Sequence, residues 1–351
     1  MISNSCPGNF IRGALLVWMA LTLAVVPGCQ LARKRDEPKP LARCMEELDY
    51  VPEIAGFLKA RGQEESPNGS HPLAGLELAL TINEMLKSHA SPEENPDDWC
   101  YAENSPENLD KLINALKENS MPPTVSFVVG RDADMSVQER WLQSGNLVGN
   151  MTYSRIRVRK KSAASYVEDV ERNDQLLAPL WEKYPHEKKY FRFIRLNPGP
   201  DRQKQAEIRN YLKRKDYVEV PATIYSPDRK LSQVYCSALA RGDQTCANYI
   251  KASLKSFLLD STLRARNLAG KIHGQEARHI LVVGANQLIC DSLGDILRLY
   301  KGLGARFISL DEALKDPLYS SVNERGESVA AEIIRRTRRG QLSATKEKAS
   351  D

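Results

Sequence analysis

The chain has 351 residues, 42% hydrophobic and 27% charged, with 50 lysines and arginines against 45 acids and a net charge of +5. That length holds one large domain or two ordinary ones. The basic residues are interspersed with acids, which argues against nucleic-acid binding and suits at most weak attraction to anionic glycans or lipid headgroups.

Arg12 precedes an apolar run over 14–26 that is too short for an ordinary membrane span, and Pro27-Gly28-Cys29 follows it. This is the pattern of a secretory signal over 1–28 ending in a lipoprotein cleavage box, with Cys29 as the lipidated residue and the membrane as its partner. Gln30 after the cysteine is not the aspartate of inner-membrane retention, so the expected place is the periplasmic face of the cell envelope, favouring the outer membrane. Residues 29–75, charged and then rich in turn formers, read as a tether and lead-in.

From residue 76 short apolar runs alternate with amphipathic ones. Strands are predicted at 76–82, 124–129, 190–194, 217–224, 279–285 and 306–310, and helices at 106–117, 136–144, 165–184, 203–215 and 288–299. A long helical stretch over 231–272 is expected to break at Gly242. Repeated alternation of this kind specifies an α/β fold around a mostly parallel sheet or barrel. After residue 319 the chain is a charged C-terminal tail. Val329, Ile333 and Ile334 there could stripe a helix, while 335–351 read as disordered. Cys6 would leave with the signal, and Cys44, Cys100, Cys236, Cys246 and Cys290 remain. An oxidising compartment permits pairing, with Cys236–Cys246 the first pair to test, and no C-x-x-C spacing supports a zinc ribbon.

Several segments in series resemble the polysaccharide deacetylases, the NodB-type domain of carbohydrate esterase family four. GNLVGNMTYSR at 145–155 is similar to the family's G-H-E-[LI]-G-N-H-T-[YW]-S-H. PPTVSFVVGR at 122–131 and LALTINEM at 78–85 resemble its A-T-F-F-x-x-G strand and its T-[IF]-D-D motif. YFRFIRLNPG, HILVVGANQLICDSLGDIL and RFISLDEAL resemble its later segments. The resemblance spans residues 76–319. It implies a distorted (β/α) barrel with its site at the C-terminal strand ends.

The same resemblance implies that the site is degenerate. The family's catalytic base and first metal ligand, both aspartates, correspond to Asn83 and Glu84, and an amide cannot take a proton from water. Its two histidine ligands correspond to Met151 and Arg155. A thioether suits copper(I) rather than zinc, and a guanidinium has no lone pair to give. Its general-acid histidine corresponds to Gly284. Arg192, which orients the base in the family, is kept although the following proline is Ile194. Asp228 survives in the fourth motif, with Arg229 in place of the neighbouring tryptophan. No catalytic residue, metal or other cofactor is therefore expected, the family's zinc being lost. Arg155 is expected to pair with Glu84 where the metal would lie.

None of His71, His89, His186, His273 and His279 falls at a ligand position, and His279 reads as an end-of-strand histidine. Three functions follow. The domain is expected to be a pseudoenzyme binding a glycan or partner protein in the envelope, with Tyr153, Trp99, Tyr101 and Tyr225 as candidate cleft aromatics. A second possibility is an active N-deacetylase rewired through the insertion after Met85, which offers His89, Glu93, Glu94, Asp97, Asp98 and Cys100. The third is a scaffold lipoprotein.

Overall fold

The computed structural model describes residues 40–49, 71–84, 106–322 and 328–343. Cys29 and the insertion, with Trp99 and Tyr101, lie outside the described residues. In chain order the elements are α1 (Pro40–Asp49), β1 (Glu77–Asn83), α2 (Pro106–Glu118), β2 (Val125–Val128), α3 (Met135–Gln143), β3 (Leu147–Asn150), α4 (Ala163–Lys183) and β4 (Lys189–Phe191). There follow α5 (Arg202–Arg214), β5 (Tyr217–Glu219), β6 (Ile224–Tyr225), α6 (Asp228–Ala240), α7 (Gln244–His273) and β7 (His279–Gly284). The last are α8 (Gln287–Cys290), α9 (Leu293–Gly302), β8 (Arg306–Phe307), α10 (Leu310–Leu314) and α11 (Val329–Ser343).

The strands form one parallel sheet in the order β5-β4-β3-β2-β1-β7-β6. Along one edge of β1 the first residues pair with β8 and the last with β2, while β7 runs along the other edge. Residues 220–223 carry the chain between the two ends of this order. Val220 N donates to Phe191 O at 2.7 Å and Thr223 N to Ile280 O at 3.1 Å, so the curled sheet is drawn towards a barrel at this seam. This is the α/β architecture expected from the alternation.

Strand periodicity divides the core in two. Ala79, Val125, Phe127, Met151, Tyr190, Ile280 and Val282 fill an inner cluster. Their neighbours Leu78, Leu80, Val128, Val148, Phe191, Leu281 and Val283 pack outward with the helices. The inner space is tight at Gly149, where a Cβ would come within 2.8 Å of the Phe127 ring.

Several expectations need correction. Strand β3 is too short for periodicity to reveal it and is stabilised by parallel pairing with β2. The 29–75 tether gives up Pro40–Asp49, a helix whose Cys44 and Leu48 are buried, because Cys44 is disulfide-bonded to Cys246 on α7. That bond also replaces the expected Cys236–Cys246 pair. Cys236 is disulfide-bonded as well, and Cys290 is a buried free thiol. Gly242 does break the long helical stretch, with φ 69°. The C-terminal tail is helical through Ser343, beyond the point where disorder was expected, because Val329, Ala330, Ile333 and Ile334 are buried, Ile334 in the inner cluster. No helix among the described residues is long and apolar enough to cross a membrane.

Candidate functional site

Period-2 alternation carries the inward face of β1 through Ala79 and Thr81 to Asn83, and that of β7 through Ile280 and Val282 to Gly284. Asn83 and Gly284 are partners in the β1–β7 register. Met151 and Arg192 follow immediately on the C-terminal ends of β3 and β4. The fold thus collects the sequence-predicted positions at one mouth, although they span 200 residues of chain.

Arg192 is fully buried. Its Nη1 donates to Asn83 Oδ1 and Thr81 Oγ1, both at 2.9 Å, its Nε to Val220 O at 3.1 Å and its Nη2 to Pro221 O at 3.4 Å. The guanidinium carbon lies 4.0 Å from the centroid of the Phe127 ring. The side chain therefore fastens β1 to the seam. Every acceptor is neutral, and burial pushes Arg192 down to about 9. A guanidinium keeps its proton even so, and the displacement measures the cost of an uncompensated buried charge.

Asp228, at the start of α6, is buried with Oδ2 accepting from Gly284 N at 2.6 Å and from Asn286 Nδ2 at 2.7 Å. Burial pushes its carboxyl up to about 6, against the pull of those hydrogen bonds and of Ser226. A Cβ on Gly284 would meet Asp228 Oδ2 at 3.0 Å and Asn286 Nδ2 at 3.3 Å. The space in which a side chain at 284 would begin is already occupied. Asn286, which the sequence motifs did not single out, completes this arrangement from two residues beyond Gly284.

Glu84 and Arg155 come from different strand ends, and Arg155 Nη2 stands 2.7 Å from Glu84 Oε1, the pairing expected of them. Both backbones are left-handed, with φ 55° at Glu84 and 57° at Arg155. Glu84 Oε2 is buried with no partner among the described residues. Met151 is buried in the inner apolar cluster.

These residues do not fit a zinc ion. Zinc takes four donors from imidazole, carboxylate or thiolate. Among the described residues the mouth offers one orphaned carboxylate oxygen beside a guanidinium that already holds the other oxygen. No group of three or more histidine, cysteine or acidic residues suited to a metal occurs among the described residues.

Of the candidate aromatics, Tyr153 lies under the Arg172 guanidinium at 3.7 Å and Tyr225 under that of Arg338 at 4.3 Å. His279 opens β7, as expected of an end-of-strand histidine, but it is not at the surface. It is fully buried, its Nδ1 is 3.1 Å from Thr223 Oγ1, and burial holds it down to about 4, so it is neutral at pH 7.

Residues 97–218 match the family model for polysaccharide deacetylase. No curated protein sequence matches the chain. Among solved structures it is similar to the polysaccharide deacetylase Bc1974 from Bacillus cereus, at 14% identity over 67% of this chain and 91% of that one, with a TM-score of 0.45. The family 4 carbohydrate esterase from Streptomyces lividans is 15% identical over 68% and 96% of the two chains, at a TM-score of 0.42. BA3943 from Bacillus anthracis, described as a CE4 family pseudoenzyme, is 13% identical over 70% and 67%, also at 0.42. At such identities and scores no activity carries over from them.

Proposed function

We propose that this chain is a lipid-anchored envelope protein whose deacetylase-like domain no longer hydrolyses and instead binds a glycan. One observation carries the reading: the Arg155 guanidinium sits on Glu84, the single carboxylate kept from the family's metal-binding motif. A cation there opposes divalent metal binding by charge and by occupying the ligand oxygen. Asn83 supplies no base, and Gly284 supplies no acid to protonate a leaving amine. The family's zinc and the reaction that needs it are lost together. The barrel mouth remains, and a mouth of this kind can hold sugar rings through aromatic faces and hydrogen bonds.

The test is metal content of the purified full-length protein, with acetate release from acetylated chito-oligosaccharides and peptidoglycan. We expect substoichiometric zinc and no acetate. Stoichiometric metal with turnover would mean that ligands from residues 85–105 rebuild the site, and the reading would be wrong. Anchoring through Cys29 is tested by labelling with a fatty-acid analogue, which Cys29→Ser should abolish.

A further inference from the structure

The C-terminal strand ends hold an unusual concentration of left-handed backbone. Seven non-glycine described residues have positive φ, and five of them, Glu84, Thr152, Arg155, Arg195 and Leu196, lie just after β1, β3 and β4. Such conformations are costly for a residue with a Cβ and persist only where surrounding structure imposes them. Two of the five are arginines.

Positive charge gathers at the same place. Arg195 is exposed, and some desolvation together with the charges of Arg157, Arg229 and Arg155 holds its guanidinium below the usual range. Beside it, the loop after β3 and the face of α4 enclose a cavity of about 610 Å³ lined by Arg155, Arg157, Lys160, Lys161 and Arg172. Two acids share the lining, Glu168 and Asp169. Asp169 Oδ2 already accepts from Ser154 N at 2.9 Å. Arg155 is engaged by Glu84 and Arg172 covers the Tyr153 ring. Among the described residues no ion pair neutralises Arg157, Lys160, Lys161 or Arg195.

Like charges gathered in one place repel. Elsewhere several arginines and lysines are matched, as in Arg209 with Glu219, Lys215 with Glu171 and Lys111 with Asp291. An anion in the cavity would offset the repulsion. The volume lies within the range of small-ligand sites.

We infer that the cavity after β3, with Arg157, Lys160 and Lys161 on its wall and Arg195 beside it, binds an anionic group of a saccharide, a sugar carboxylate or sugar phosphate. This rests on the glycan-binding reading and narrows it to acidic glycans. Guanidinium forks at Arg157 and Arg195 suit either anion, because both present paired oxygens.

The test is titration calorimetry of the full-length protein in detergent with trigalacturonate, glucose 6-phosphate and neutral chitotriose. The acidic probes are expected to bind, with affinity falling as salt rises, while chitotriose binds at least tenfold more weakly. Whichever acidic probe binds more tightly identifies carboxylate or phosphate as the anion. Arg157→Glu and Arg195→Glu should each weaken binding about tenfold or more. Should Arg195→Glu fail to fold, the double variant Lys160→Glu/Lys161→Glu takes its place, since both lysines are exposed. Chitotriose binding as tightly as the acids, or acid binding that these variants leave intact, would overturn the inference while leaving the glycan reading standing. Binding of none of the three would overturn both.

Discussion

Arg192 allows a quantitative prediction. The perturbation is Asn83→Asp, which exchanges a neutral acceptor 2.9 Å from Nη1 for a carboxylate without changing side-chain length. Burial that brings an arginine to about 9 corresponds to roughly 5 kcal/mol of penalty on the charged form, an order-of-magnitude figure. The penalty is already present in the folded protein, so a new carboxylate recovers part of it. Its own desolvation is moderate, because position 83 is only half-buried. A hydrogen bond to a charged group contributes about 1.5–3 kcal/mol, against about 1 kcal/mol for the neutral bond it replaces.

The expected net gain is about 1–2 kcal/mol, or about 2–8 °C in Tm at this size. The sign with pH is fixed. An aspartate paired with Arg192 has its folded pKa depressed, so the gain is complete above the unfolded value of about 4 and disappears as pH falls through the lower folded value. Thermal melts of both proteins at pH 7 and at pH 2–3 test this. A variant no more stable than the parent at pH 7, or one whose advantage survives unchanged at pH 2, would refute the account of Arg192 as an uncompensated charge. Acetate release should stay absent in either case, because Met151, Arg155 and Gly284 are unchanged.

Asp228→Asn should remove a pH-dependent liability. The raised carboxyl, at about 6 against about 4 unfolded, makes the native state lose stability as pH rises between those values, by up to about 3 kcal/mol. The variant should therefore gain on the parent from pH 3 to pH 7 in denaturant melts, and a flat difference would contradict the buried placement. Cys44→Ser opens a loop of 202 residues and should cost about 3–5 kcal/mol, read as a lower denaturation midpoint than that of the oxidised parent.

The alternation of strands and helices, most element positions and the order of the family motifs are legible in the amino-acid sequence. Local pattern specifies these, through period-2 burial in β1 and β7 and helical spacing in α2 and α4. The sequence also singled out Asn83, Glu84, Met151, Arg155, Arg192, Asp228 and Gly284, through the order and spacing of the motifs.

Tertiary structure alone decided what those residues meet. The Cys44–Cys246 bond joins positions 202 apart, and no spacing rule reaches that far. The C-terminal helix looked like a charged tail because only one face is apolar, and that face is buried only once Ile334 enters the inner cluster. The contact of Asp228 with the backbone of Gly284 and the gathering of Arg155, Arg157 and Arg229 near Arg195 bring together loops distant in sequence. Their physical cause is the curl of the parallel sheet, which directs the ends of β1, β3, β4, β6 and β7 to one mouth, a property of the closed arrangement rather than of any single segment.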